Sequence, residues 1–413
     1  MSDVRAERQE RLTRFGPGTP MGKYLRCFWH PIAAAVELKA WPILKKRIMG
    51  EDLALYRGDD GTLGLIADRC PHRGASLSCG MIEGANLRCA YHAWMFDKDG
   101  KCLDTPAEPT AKMHDRITTT AYPVQELGGL IWAYMGAKPA PLLPRYEHIV
   151  REDWDRFIGV SYLPCNWLQV TENNADPYHI EYLHMRYTNW ARKQKGLSPI
   201  PVRHHAKVDF EVYEYGLIKK RLWEGDSEDC QEWRVGHPLL WPGSAVVPYH
   251  ADWVQYQIRV PIDDTNTLYY WYDCKAREKG APPQTDVPMT ENPWQSPEGG
   301  WMPEKINAQD MMVMISQGPV TDHTKENLGE EDRGVALYRK TLLEQIAKVE
   351  QGLDPLGVVR DPAKNTPWIT LPVEHEINYT LAGVQASAGY AFPERDGTPA
   401  RQTGELAGQR VER

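Results

Sequence analysis

No apolar run in this 413-residue chain approaches the roughly 20 residues that a membrane-spanning helix requires. Stretches such as Leu127 to Met135 fall well short, and the charged run from Asp3 to Arg14 lacks the form of a secretion signal. A span or export is therefore not expected, and a cytoplasmic location is. No dense Lys/Arg tract occurs either. With 48 basic against 56 acidic side chains the net charge is −8, which argues against nucleic acid as the main partner, since phosphate binding needs a basic surface. Phenylalanine is scarce at 6, whereas Trp reaches 15 and Tyr 20. At 42% hydrophobic and 25% charged the composition is that of a globular protein, and disordered and collagen-like classes are excluded. No internal repeat is present, and the length allows two or three domains at about 150 residues each.

What the chain does have is eight cysteines: Cys27, Cys70, Cys79, Cys89, Cys102, Cys165, Cys230 and Cys274. Without export a disulfide framework is not expected, so a concentrated subset reads as metal-binding or catalytic. Four of the eight lie between residues 70 and 102.

Residues 1–20 are polar and end in a Gly/Pro cluster, which reads as a leader. From 21 to 138 short β-like runs (Asp52 to Tyr56, Leu63 to Ala67, Leu130 to Tyr134) alternate with turns such as Gly58 to Gly61, which predicts a small all-β domain. Pro139, Pro141 and Pro144 suggest a connection. Between 145 and 393 the pattern is α+β. Val208, Phe210 and Val212 alternate with charged residues, and Val254, Tyr256, Ile258 and Val260 lead through Asp263 to Asn266 into Leu268 to Tyr272, a predicted hairpin. Residues 276–304 read as a long loop. Val335, Tyr338, Leu342, Ile346 and Val349 mark an amphipathic helix ending near Gly352, and 394–413 is a polar tail.

Two segments carry chemistry. In the first, Cys70-Pro71-His72 is followed after sixteen residues by Cys89-Ala90-Tyr91-His92. One thiolate and one imidazole from each of two loops suit either zinc or a [2Fe–2S] cluster in which His₂ replaces Cys₂ on one iron. The Cys-x-His spacing within one tight turn favours ligands to opposite irons of a binuclear cluster. In the second, Asp176 precedes His179 by three residues, and His184 follows five residues on. Two histidines and a carboxylate on one metal, with positions left open, make the facial triad of non-haem Fe(II) oxygenases. Five residues on a regular α-helix turn the side chains about 140° apart, so a shared metal requires a π-bulge or bend here.

Cys70-Pro71-His72-Arg73-Gly74, Cys89-Ala90-Tyr91-His92 and Trp94 resemble the Rieske motif of aromatic-ring-hydroxylating and O-demethylating oxygenases. Respiratory Rieske proteins add a disulfide between the loops, but the corresponding positions here hold Ala75 and Tyr91, so the oxygenase or ferredoxin type is favoured. Cys79 has no ligand role in the motif and reads as a small buried residue. The run from Asn166 to His184 is similar to the iron segment of the same family. The resemblance implies that Cys70, His72, Cys89 and His92 hold the cluster, that His179 and His184 bind mononuclear Fe(II), and that Asp176 hydrogen-bonds the neighbouring subunit's cluster histidine, the equivalent of His92. Asn173 lies near the iron in this pattern, in a positioning role. Asp310 and Asp322 are the candidates for the third ligand, and Asp310, in the pair Gln309-Asp310, matches the family position. Asp322 reads as a turn or capping acid. His323 stands where relatives are expected to have Arg.

The resemblance covers roughly residues 14 to 365 and points to the phthalate-dioxygenase-like branch, with segments such as Leu163 to Gln169 and Gln309 to Gly329 similar to O-demethylases of the 5,5′-dehydrodivanillate type. It implies a terminal oxygenase that uses O₂ to O-demethylate a methoxylated, lignin-derived aromatic acid. Ring cis-dihydroxylation of an aromatic carboxylate is the alternative, and a Rieske electron carrier is the alternative from another class. A carrier has no use for His179, His184 and Asp310. NAD(P)H electrons would arrive through a separate reductase, because no G-x-G-x-x-G dinucleotide fingerprint is evident; whether a ferredoxin intervenes stays open. A head-to-tail homotrimer is implied, with stacking into a hexamer as a variant. Arg186, Arg203 and Arg221 are candidate anchors for an acidic substrate.

Overall fold

The computed structural model describes residues 2–110 and 113–373. The expected tail at 394–413 lies outside them. Two architectures follow one another, a set of small antiparallel sheets and then a large sheet covered by helices, which is the predicted α+β organisation.

The N-terminal part contains two three-stranded sheets and a four-stranded one. Strands Ile43–Ile48, Glu51–Arg57 and Leu63–Ala67 form one sheet; Trp29–Ala34, Leu130–Tyr134 and Val124–Leu127 form another. Short strands from Met81–Glu83 to Cys102–Asp104 make the third, and the two Cys/His loops lie beside it. A separate small core of Ile43, Tyr56, Ile66, Leu77, Leu87, Trp94 and Phe96 packs around the two loop cysteines. Cys79 corrects the expectation of burial. It is exposed, because the 3₁₀ turn Leu77–Cys79 turns Leu77 inward and leaves the thiol at the tip before Gly80.

The eight-stranded sheet is antiparallel except for its last pair, in which Met289–Glu291 runs parallel to Trp154–Leu163. That short strand interrupts what composition suggests is loop throughout 276–304. The hairpin Trp253–Asp263 and Asn266–Ala276 lies at the middle. Its turn is closed by Asp263 Oδ1, which accepts from Thr265 N and Asn266 Nδ2. Tyr256, Tyr269, Tyr270, Trp271 and Tyr272 are fully buried there, so the aromatic surplus is spent on core. Strand His205–Tyr213 is the edge, and its predicted inward alternation fades: Val208 is buried but Val212 is exposed.

Helix Arg333–Glu350 ends before Gly352, whose φ of 77° suits glycine. The polar N-terminal stretch is more than a leader. Ser2–Thr13 is a helix that buries Leu12, pairs Arg11 with Glu350, and passes into Phe15 packed edge-on against Trp167. No helix among the described residues is long and apolar enough to cross a membrane.

Candidate metal centres

The two Cys/His loops have the same backbone design. In the first, Gly74 N donates to Cys70 O and Cys70 N to Ala75 O; in the second, Ala93 N donates to Cys89 O and Cys89 N to Trp94 O. Four residues after each cysteine the chain takes a positive φ, 74° at Gly74 and 59° at Ala93. Such turns point a side chain at i and another at i+2 or i+3 out of the same loop. Cys70 and Cys89 are buried and form no disulfide, and burial together with the proximity of Cys89 pushes the Cys70 thiol up to about 11. The His72 and His92 rings lie 4.4 Å apart, His72 stacks on Trp94 at 4.5 Å, and the buried His72 Nδ1 has no hydrogen-bond partner.

These residues fit a binuclear cluster better than a single ion. Tetrahedral zinc, with bonds of about 2.0–2.3 Å, needs its ligand atoms within roughly 4 Å of one another. Among the described residues, the group of three or more potential ligands meeting within 4.8 Å is His179, His184 and Asp310, not the Cys/His set. In the loops sulfur instead stands next to sulfur and imidazole next to imidazole, as two irons with different ligands require.

The second centre is built on a helical segment that changes pitch. Asn166 caps the helix Trp167–Glu172 by accepting from Leu168 N, and its amide also donates to Thr13 O. A 3₁₀ turn, Asn173–Ala175, follows, then Asp176, then a π-helix at Ile180–His184 before regular α-helix resumes at Met185–Gln194. The irregularity that the five-residue spacing demands is therefore present. It carries His179 and His184 to the same side, with ring centroids 5.1 Å apart.

Helix Ile306–Ser316 supplies the carboxylate. Asp310 Oδ1 lies 3.1 Å from His184 Nε2 and 3.7 Å from His179 Nε2, and Asn173 Nδ2 reaches the same oxygen at 3.4 Å. Burial alone would raise the Asp310 carboxyl, but His184 and His179 hold it below the ordinary value. A cation in the same place would have the same effect. Asp322 stands apart, at an exposed turn where it accepts from Thr324 and pairs with Lys325. Asp176 Oδ2 lies 3.6 Å from His179 Nδ1, and among the described residues no hydrogen bond or ion pair joins Asp176 to His92.

Several residues here escape sequence reasoning. Gln309 Nε2 donates to Pro303 O, which leaves its Oε1 to accept from His184 Nδ1 at 2.8 Å. That contact fixes the tautomer and turns the His184 Nε2 lone pair toward Asp310 and His179. Lys219 and Arg259 come from the sheet. Lys219 Nζ donates to Asn174 O; Arg259 is held by the Gln257 carbonyl and side chain and by the Tyr269 hydroxyl. Both are buried, and among the described residues neither pairs with a carboxylate. The sequence-based anchors fare differently: Arg221 is paired with Glu232, Arg203 with Asp226, and Arg186 is exposed over Tyr182.

Comparison with known proteins supplies the family. Residues 28–123 match the Rieske [2Fe-2S] domain. The chain is 40% identical to the 5,5′-dehydrodivanillate O-demethylase oxygenase subunit of a Sphingobium species, over 90% of this chain and 87% of that protein. The chain belongs to the Rieske non-haem iron oxygenases. It is also 34% identical to the phenoxybenzoate dioxygenase subunit alpha of Ectopseudomonas oleovorans, over 84% and 87% of the two chains. The terminal oxygenase of carbazole 1,9a-dioxygenase from a Novosphingobium species has the same fold, with a TM-score of 0.61 at 19% identity, covering 82% of this chain and 96% of that one. As a Rieske oxygenase the protein uses a [2Fe-2S] cluster and mononuclear iron, and it works with a separate reductase or ferredoxin that supplies electrons.

Proposed function

We propose that this terminal oxygenase component O-demethylates a methoxylated aromatic acid of the 5,5′-dehydrodivanillate type. Cys70 and Cys89 ligate one iron of the cluster and His72 and His92 the other, while His179, His184 and Asp310 hold the mononuclear iron. The observation that carries the reading is the convergence of those last three ligand atoms within 4.8 Å, on a protein 40% identical to an O-demethylase subunit. Once bound, the mononuclear iron supplies O₂ activation with electrons relayed through the cluster, and ArOCH₃ + O₂ + 2e⁻ + 2H⁺ gives a hemiacetal and water. The hemiacetal then collapses to phenol and formaldehyde.

The chain's own residues orient and neutralise. Gln309 and Asn173 hold His184 and Asp310 in place. Two buried basic side chains without ion-pair partners among the described residues, Arg259 and Lys219, support an anionic substrate: burial lowers the Lys219 ammonium to about 7, and an anion beside it would favour the charged form. Asp176, one-third exposed and directed at His179, is the link to the cluster histidine of a neighbouring subunit, in a head-to-tail trimer. Ring cis-dihydroxylation stays as the second reading, since the phenoxybenzoate dioxygenase subunit is 34% identical and the same triad serves either reaction.

The test is to reduce the protein anaerobically, expose it to O₂ with a panel of methoxylated and unsubstituted aromatic acids, and score formaldehyde against cis-diol. Stoichiometric formaldehyde is expected from methoxylated acids. Diol without formaldehyde overturns the demethylase reading in favour of the dioxygenase.

A further inference from the structure

Glu181 lies inside the π-turn, between the two histidines, and nothing in the proposed reaction uses it. Its carboxylate is almost fully buried, with the side chain 2% exposed. It does not face the metal centre's ligands. Oε1 accepts from His205 N at 2.8 Å and from His205 Nδ1, and Oε2 accepts from His204 Nδ1 at 2.8 Å. Three donors at the start of the sheet's edge strand thus close on one side chain of the turn. The strand end is itself fixed. His205 stacks on Trp223 at 3.9 Å and meets Tyr178 edge-on at 5.3 Å, and Trp223 Nε1 bonds Glu232.

A π-turn has poorer packing and hydrogen bonding than α-helix, so outside influences must hold it against relaxation. Relaxed to α geometry, the segment would swing His184 about 140° from His179 and the two could not share an ion. Gln309 orients the His184 ring, but it does not constrain the backbone between the ligands; Glu181 does.

We propose that Glu181 is a positioning residue for the mononuclear iron: its clasp by His204 and His205 keeps the Ile180–His184 turn in the π form that lets His179 and His184 meet one metal. The inference rests on the reading of His179, His184 and Asp310 as iron ligands. It adds that the affinity of the site is set partly from the far side of the turn.

The experiment compares full-length wild type with Glu181→Ala, Glu181→Gln and His204→Ala, each loaded anaerobically with Fe(II). Glu181→Ala is expected to weaken mononuclear iron binding by about 10- to 100-fold, to change the electron paramagnetic resonance signal of the ferrous nitric oxide adduct, and to leave the Rieske absorbance and resonance spectrum intact. Glu181→Gln, whose amide oxygen can still accept from the His205 backbone, is expected to recover most of the affinity, and His204→Ala to lose less than Glu181→Ala. If Glu181→Ala does not fold, His204→Ala carries the test, with a smaller but measurable loss expected. Wild-type iron affinity together with an unchanged nitrosyl signal in Glu181→Ala, or in His204→Ala where Glu181→Ala does not fold, overturns the proposal. Asp310→Ala serves as the reference: if it retains all its iron, the ligand assignment fails, a result distinct from an Asp310-dependent site indifferent to Glu181.

Discussion

At the scale of single residues, the mononuclear site depends on who holds the ligands as much as on the ligands. Asp310→Ala removes the only carboxylate of the triad and is expected to lose one iron per chain and nearly all turnover, while the cluster's visible spectrum stays. Gln309→Ala should be milder. Losing the acceptor at 2.8 Å frees the His184 tautomer, and iron affinity measured by competition with a chelator is expected to fall about 10- to 100-fold. The two histidines were legible as residue types at a spacing, His-x₄-His with the positioning acid Asp176 three residues before, whereas Asp310 was legible only through its resemblance to the family position. Gln309 was visible only as the neighbour of Asp310. Lys219 and Arg259 left no signal: on a strand buried on both faces, a cation at an inward position has the same periodicity as one at an outward position. Cys79 shows the converse, a small apolar-looking residue that a three-residue turn sends outward.

At the scale of elements, the turn Asn173–Ala175 is wedged. A Cβ on Gly334 would approach Ala175 O to 2.1 Å and the Phe210 ring to 2.2 Å, so the helix Arg333–Glu350 packs backbone-close at this point. Gly334→Ala is expected to destabilise the protein by about 1–3 kcal/mol through overpacking and to shift Asp176, the next residue after the turn. Thermal unfolding and turnover should fall together, whereas an exposed helix position such as Lys340→Ala should change neither by more than about 0.5 kcal/mol. The π-turn belongs to this scale as well. Its necessity could be argued from the five-residue spacing alone, but what keeps it in place lies on a strand more than twenty residues away.

At the scale of the whole molecule, electron delivery and pH response are shared among distant parts. Asp176→Asn is expected to keep both metal centres at full load yet to slow reoxidation of the reduced cluster by substrate and O₂ more than 10-fold, read by stopped-flow absorbance; wild-type kinetics would remove Asp176 from the intersubunit route. Burial holds His30 and His205 neutral down to about pH 4, against about 6.5 for a free imidazole. Between those values the unfolded chain binds more protons than the folded one. Stability is therefore full above about pH 6.5 and lost as the pH falls toward 4, and a thermal midpoint that does not decline across that window would contradict the assignment. His30→Gln should flatten part of the slope, since its Nε2 donates to Leu25 O deep in the N-terminal sheet region.

The sequence by itself determined the family and the α+β class, and it pointed to the Cys/His loops and to His179 and His184, because groups that share a metal from one loop or turn must sit at short fixed spacings and hairpin strands must alternate. By spacing alone it could not choose between Asp310 and Asp322, and the preference for Asp310 rests only on its resemblance to the family position; the packing of helix Ile306–Ser316 against the π-turn is what brings Asp310 to 3.1 Å of His184. It could not show the clasp on Glu181 or the buried cations either. Those are long-range contacts whose partners are set by sheet register and helix placement, and local sequence carries no record of them.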